Sequence, residues 1–262
     1  MKVAIIGLGY VGLPLGLRFA ESNVVVLGLD IDSQKVEDIN AGRSYIKHIE
    51  ETTITKARES GFLEASTDFS RVAEVDAVLI CVPTPLGKHR EPDISYVLRS
   101  GEAIAPYLKL QGNSGYFKND REKNNSQSPF PHSLSSTPKL VVLESTTYPG
   151  TTDTELREVL EEGSGLKAGL GFHLAFSPER EDPGRKDHSV KTIPKVMGGF
   201  TETCLERCVE LYSLALDAVY PVASCRVAEA TKLTENIFRS VNIALVNELK
   251  VVFHKMDIDV CD

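Results

Sequence analysis

No stretch of this 262-residue sequence carries the ~18 consecutive apolar residues that a membrane-crossing helix requires. Its first apolar run is short and lacks the charged-then-apolar pattern of a secretion leader. Neither export nor a membrane partner is expected, and the expected location is the cytoplasm. Cysteine is scarce and unorganised: Cys81, Cys204, Cys208, Cys225 and Cys261 form an odd set with no CxxC spacing and no clustered histidine. That argues against a disulfide scaffold and a zinc site, so no metal is expected and most of these thiols read as small core residues. Positive charge is in deficit too, with 29 Lys and Arg against 37 Asp and Glu and a net charge of −8. With no basic run interleaved with aromatics, nucleic acid is not expected as a partner, and an anionic ligand would need a local positive site. No internal repeat at a solenoid period is present.

What is there is ordinary globular material, 42% hydrophobic and 25% charged, enough for one large domain and part of another. Short apolar runs ("KVAII", "NVVVLGLD", "DAVLICVP", "KLVVLES") alternate with helix-patterned segments ("LPLGLRFAES", "DISYVLRSGEAIAPYL"). Val- and Ile-rich runs separated by helices are what a parallel sheet covered on both faces requires, so the expected fold is a doubly wound, Rossmann-like α/β domain. Residues 111–138, crowded with Asn, Ser, Pro and Gly, break the pattern and read as a disordered insertion. After Pro149 the alternation resumes through "TTDTELREVLEE", "GFHLAFSPE", "KVMGG", "TETCLERCVELYSLAL" and "DAVYPV". It ends in a helix expected from about Val227 to Met256, long enough to join domains or meet a partner. The expected division is a nucleotide-binding domain over 1–200, then 201–262 closing that domain and opening a helical one.

The sharpest local signal is "KVAIIGLGYVG", which places Gly7, Gly9 and Gly12 as G-x-G-x-x-G between an apolar strand and a helix, with Asp30 at the end of the next strand. Gly7 permits the tight turn, Gly9 lets the backbone approach a pyrophosphate, Gly12 lets helix and strand pack closely, and the phosphates meet free N–H groups at the helix start. Asp30 can accept hydrogen bonds from a ribose diol and would repel a 2′-phosphate, which favours NAD over NADP. Lys35 softens that preference slightly, and it also reads as a solvated helix lysine.

Ligands of such sheets bind at the carboxyl ends of strands. Three strand ends run into a hydroxyl or carboxylate beside a proline: "CVPTP", "ESTTYPGTT" and "AFSPERED". Thr84, Thr146 and Glu179 would there converge on the nicotinamide end of the cofactor. Taken singly, the two threonines read as turn hydroxyls bonding nearby backbone and Glu179 as a solvated loop carboxylate; it is their common place at strand ends that points to a site. On the long helix, about 100° per residue gathers Leu233, Ile237, Val241, Ala244 and Val252 on one side and Lys232, Asn236, Arg239 and Asn247 on another. Periodicity alone makes the second stripe solvent-facing.

Together "IIGLGYVGLPL", "DAVLICVPTPLGKHREPD", "VVLESTTYPGTT", "LAFSPEREDPG" and "EATKLTENIFRSVNIALVNEL" resemble the nucleotide-sugar 6-dehydrogenases, the UDP-glucose and GDP-mannose dehydrogenase family. The "STTYPGTT" and "SPEREDPG" forms look most like the branch acting on UDP-N-acetylglucosamine or UDP-N-acetylmannosamine. The resemblance covers the chain outside 111–138. It implies NAD as cofactor, a nucleotide sugar as substrate, and a homodimer formed through the long helix. It also implies that Gly7, Leu8, Gly9, Tyr10, Val11, Gly12, Asp30, Lys35, Thr84 and Thr146 contact NAD. Thr146 and Glu179 would hold the water or alkoxide at the reacting carbon, and Glu179, Arg180, Lys232 and Asn236 would face the sugar. Lys232 would be the cation beside the developing oxyanion and Asn236 a donor to it.

The family reaction takes a C6 alcohol to a carboxylate in two hydride transfers, with a cysteine attacking the aldehyde in between. That cysteine belongs to a glycine-rich "GGHC"-like motif, whereas this chain closes on "MDIDVCD", where Cys261 lacks the glycines and the histidine. The nucleophile and the second nucleotide-binding domain are therefore expected to be missing from these residues. The insertion is the other departure from the family pattern. Two further readings are a β-hydroxyacid-type dehydrogenase and a non-catalytic NAD-binding or dimerisation subunit.

Overall fold

The computed structural model describes residues 1–87, 92–109, 137–178 and 194–259. The expected insertion lies outside these, apart from Thr137 and Pro138, as do Glu179, Arg180 and Cys261.

The chain alternates as expected. It runs β1 (Lys2–Ile6), α1 (Gly12–Glu21), β2 (Val25–Leu29), α2 (Ser33–Asn40), α3 (Glu51–Glu59), β3 (Leu63–Ser66), β4 (Ala77–Ile80) and α4 (Ser95–Ile104). It continues through β5 (Leu140–Leu143), α5 (Arg157–Ser164), β6 (His173–Phe176), β7 (Lys195–Gly199), α6 (Glu202–Tyr212), β8 (Val219–Val222) and α7 (Cys225–Lys255). The strands form one sheet in the order β3-β2-β1-β4-β5-β6-β7-β8. Neighbours are parallel except β6 and β7, an antiparallel pairing that needs no crossover helix.

Alternation along each strand sends side chains to both faces, and both are covered. Val3 and Ile5 pack with Leu13, Phe19, Val26 and Leu211 on one side, while Ala4 and Ile6 pack with Val78, Val97, Leu156 and Phe172 on the other. The sheet is therefore doubly wound. Between β1 and β4 the strand order reverses direction, which opens a crevice beyond their carboxyl ends.

Element ends depart from the sequence reading for local reasons. Pro106 converts the end of "DISYVLRSGEAIAPYL" into a short 3-10 turn, Ala105–Tyr107. The "TTDTEL" segment, Thr151–Leu156, is wound as a π-helix before α5 begins. The helix of "TETCLERCVELYSLAL" stops at Tyr212, and α7 starts at Cys225, where the Ser224 hydroxyl accepts the Val227 N–H at 3.3 Å.

One ionic group lies inside the core. Glu144, the residue after β5, is 0% exposed and meets Lys195 Nζ at 2.6 Å, and the Tyr212 hydroxyl donates to its other oxygen. Lys195 also sits over the Tyr212 ring, 5.5 Å from its centroid. Burial first, and the Glu144 charge next, push the Tyr212 phenol well above its ordinary range. The group ties β5, β7 and α6 together behind the turn that carries Thr146.

Candidate functional site

The glycine-rich turn connects β1 to α1, as its spacing requires. Gly7 has φ +88, and a Cβ there would stand 2.9 Å from the Cys81 carbonyl oxygen. A Cβ on Gly12 would lie 1.9 Å from the Gly7 carbonyl oxygen, so α1 packs on the turn only because that carbon is absent. Gly9 differs, since its φ is not in the positive region and an added Cβ would meet nothing within 4 Å. Nothing among the described residues requires glycine at Gly9. The open space over it is where a pyrophosphate would approach the backbone.

Asp30 stands at the tip of β2 and is buried, with Oδ2 accepting the Leu8 N–H at 2.8 Å and Oδ1 accepting the Asp32 N–H at 3.0 Å. Oδ1, with one donor, keeps a lone pair for a ribose hydroxyl. Lys35, on α2, is no free solvated lysine: its ammonium lies 3.4 Å from Asp30 Oδ2. Tyr45, which belongs to no motif in the sequence, donates to the Leu8 carbonyl at 2.5 Å, and burial together with the Asp30 charge holds its phenol well above the ordinary value. Tyr10 projects from the turn and stacks on His48 with 6.0 Å between ring centroids.

The turns after β4 and β5 are stitched side by side. The Thr84 hydroxyl donates to the Thr146 carbonyl at 2.6 Å, and the Ser145 hydroxyl to the Val82 carbonyl at 2.5 Å. Thr84 does bond backbone, but backbone 62 residues away, so its hydroxyl joins two strand ends instead of closing its own turn. Thr146 itself is exposed. Thr147 Oγ1 and Ser177 Oγ, at the ends of β5 and β6, are buried and have no hydrogen-bond partner among the described residues. Unsatisfied hydroxyls are costly in a dry site, and these two lie on the side of the sheet that takes ligands. Glu179 and Arg180 fall outside the described residues.

Along α7 the buried residues are Cys225, Ala228 and Glu229. Glu229, 0% exposed, takes the Gly150 N–H at 2.7 Å on one oxygen, and the Thr152 N–H at 2.9 Å and Thr152 hydroxyl at 2.7 Å on the other. Lys232 and Asn236 follow it and are half-buried, whereas Leu233, Ile237, Val241, Ala244 and Val252 are exposed. Periodicity alone places Lys232 and Asn236 in solvent, but they are half-buried, whereas Arg239 and Asn247 of the same stripe are exposed, as the apolar stripe is. The structure sets the base of α7 on the β5–α5 turn, and so brings the helix bearing Lys232 and Asn236 to the turn bearing Thr146.

The site thus has an unfilled approach over Gly9, a buried acid at the tip of β2, and a joined pair of strand-end turns with α7 seated on one of them. These features fit a dinucleotide, and Asp30 fits one without a 2′-phosphate. Comparison with known proteins agrees. Residues 1–113 and 131–216 match the NAD binding domain of the UDP-glucose/GDP-mannose dehydrogenase family, and 226–262 match its central domain. Protein CapL of Staphylococcus aureus is 36% identical over 260 residues, covering 98% of this chain and 54% of that protein. UDP-N-acetyl-D-glucosamine 6-dehydrogenase of Salmonella typhi is 34% identical over 260 residues, covering 99% and 54%. The solved UDP-D-ManNAc dehydrogenase of Pyrococcus horikoshii superposes with a TM-score of 0.83 at 31% identity, over 99% of this chain and 56% of that one. The chain spans about half the length of the curated relatives it matches. With NAD as the cofactor of its first domain, the chain belongs to the UDP-glucose/GDP-mannose dehydrogenase family.

Proposed function

We propose that this chain is the NAD-binding part of an enzyme that oxidises the C6 alcohol of a UDP-N-acetylhexosamine towards the uronate. The observation that carries the reading is Gly9, a glycine the fold does not need and a pyrophosphate does. The relatives named for UDP-N-acetyl-D-glucosamine and UDP-D-ManNAc support the sugar class.

Bound NAD would supply the hydride acceptor. Asp30 would hold the adenosine ribose diol, and Lys35 would steady that carboxylate. Thr84 and Thr146 would line the nicotinamide end, with Thr147 and Ser177 near it as buried hydroxyls in search of a partner. Lys232 would stabilise the alkoxide formed as the C6 hydroxyl loses its proton, and Asn236 would donate to the same oxygen. Glu179 and Arg180 would face the sugar. A complete oxidation removes two hydrides and adds the oxygen of one water, and in the family a cysteine holds the carbon in between. None of the described cysteines suits that role, since Cys81, Cys204, Cys208 and Cys225 are buried, and burial pushes the Cys208 and Cys225 thiols well above their ordinary range.

In the same reading, residues 1–200 form the NAD domain and 201–262 lead into a helical dimerisation domain. A second copy would cover the apolar face of α7, where Ile237 is 54% exposed and Phe238 71%. Saturating NAD is expected to raise the melting temperature, and UDP-N-acetylglucosamine with NAD to release NADH without a full yield of uronate. A melting temperature indifferent to NAD would refute the cofactor reading. NADH release from small 3-hydroxy acids, with none from UDP-sugars, would refute the substrate reading.

A further inference from the structure

We infer that Glu229 is a positioning residue that fixes the angle of α7, and through it the placement of Lys232 and Asn236, by capping the helix that begins in the β5–α5 turn. The inference rests on the proposed function only for the roles of Lys232 and Asn236; the latch itself stands on geometry.

A carboxylate buried this completely requires partners, and Glu229 has three donors, all from Gly150 and Thr152. Gly150 has φ +108 and immediately precedes Thr151–Leu156, so its N–H and that of Thr152 are donors that a starting helix leaves unpaired. Their acceptor comes from 77–79 residues further along the chain. It sits at the positive end of a helix dipole, which favours a carboxylate there. Burial nonetheless raises the Glu229 carboxyl above its ordinary value, against the lowering effect of the Thr152 and Gly150 hydrogen bonds. One turn earlier, Arg226 pairs with Asp153 of the same segment at 2.8 Å, but the arginine side chain is 60% exposed, which weakens the pair.

The position along the helix matters as much as the bonds. Glu229 is the last of the buried residues on α7. At about 100° per residue, Asn236 lies within roughly 20° of the Glu229 direction and Lys232 within roughly 60°, so both continue its stripe. Both turn to the same flank of Glu229 and are half-buried, whereas Leu233 and Ile237, about 40° and 80° to the opposite flank, are exposed, as are Thr234 and Phe238. Asn236 is about 10 Å further along the axis. A tilt of about 6° at Glu229 therefore moves it by about 1 Å, a displacement that can cost on the order of a hundredfold in a reaction that depends on aligned groups.

The test is amide hydrogen exchange on the full chain, free and with saturating NAD, for the parent, Glu229→Ala and Glu229→Gln. In Glu229→Ala the Gly150 and Thr152 amides should exchange at least about tenfold faster, and residues 230–240 should speed up with them. Glu229→Gln keeps one acceptor oxygen and should restore much of the protection in both segments. If Glu229→Ala does not fold, Glu229→Gln carries the test through partial and parallel loss of protection at Gly150, Thr152 and 230–240. The inference is overturned if Gly150 and Thr152 lose protection while 230–240 keeps it, since Glu229 would then cap the turn without steering the helix. It is equally overturned if neither segment changes. Absence of NAD binding in the parent would count against the proposed function and leave the latch standing.

Discussion

Replacing Gly9 by alanine separates what the fold needs from what the ligand needs. A Cβ at Gly9 would meet nothing within 4 Å, and the residue's φ suits an L-amino acid. Folding stability should therefore hold or rise by up to ~1 kcal/mol, because alanine narrows the unfolded ensemble. The bound state is a different matter, since the methyl group would enter the space over which the pyrophosphate approaches. Overpacking a close contact costs about 1–3 kcal/mol, which corresponds to NAD binding weaker by about 5- to 150-fold. Gly12→Ala is the control of opposite kind: its Cβ would stand 1.9 Å from the Gly7 carbonyl oxygen, against backbone that cannot move cheaply, and should cost at least about 2 kcal/mol of stability. Stability is read from urea unfolding. Binding is read by calorimetry with NAD and by the emission of bound NADH. If Gly9→Ala bound NAD within twofold of the parent, the dinucleotide would not cross this turn and the reasoning would fail.

Two further outcomes are expected from the buried groups. Lys195→Met leaves the Glu144 carboxylate in the core without the Lys195 charge and should cost about 3–5 kcal/mol in urea unfolding, while the double change with Glu144→Gln should recover part of it; a single-variant loss below about 1 kcal/mol would show the pair to be unimportant. His173 is buried, and burial followed by the Arg207 charge lowers its pKa below the ordinary 6.5. Its contribution is full above pH 6.5 and is lost as pH falls towards the folded value, because the unfolded chain takes up the proton first. His173→Gln should therefore lose less stability than the parent between pH 7.5 and 5.5 in urea unfolding. Equal losses in both proteins would assign the acid sensitivity to other groups.

Much of the fold is legible because it is written in local pattern. The β1–α1 turn, Asp30 at the tip of β2 and the doubly wound alternation all follow from short-range spacing. Helices α2 and α3 and strand β3 are hard to read because "SQKVEDIN", "ETTITKARE" and "LEAS" each bury few side chains and carry weak periodicity. The roles of Glu144, Tyr45 and Glu229 are not legible, since each is defined by a partner far away in sequence: Lys195 and Tyr212 for the first, the Leu8 carbonyl for the second, Gly150 and Thr152 for the third. A lysine opening an apolar strand and a glutamate closing another are the available hints for the first pair.

The amino-acid order by itself settled the dinucleotide turn and the preference for NAD, because three closely spaced glycines, a strand before them and an acid after them act over short stretches of backbone. The side of α7 that is buried against the α/β domain was settled only by the packed molecule. Periodicity distinguishes one helix face from another, but which face meets the protein shows only in long-range contacts such as the Glu229 carboxylate on the Gly150 and Thr152 amides.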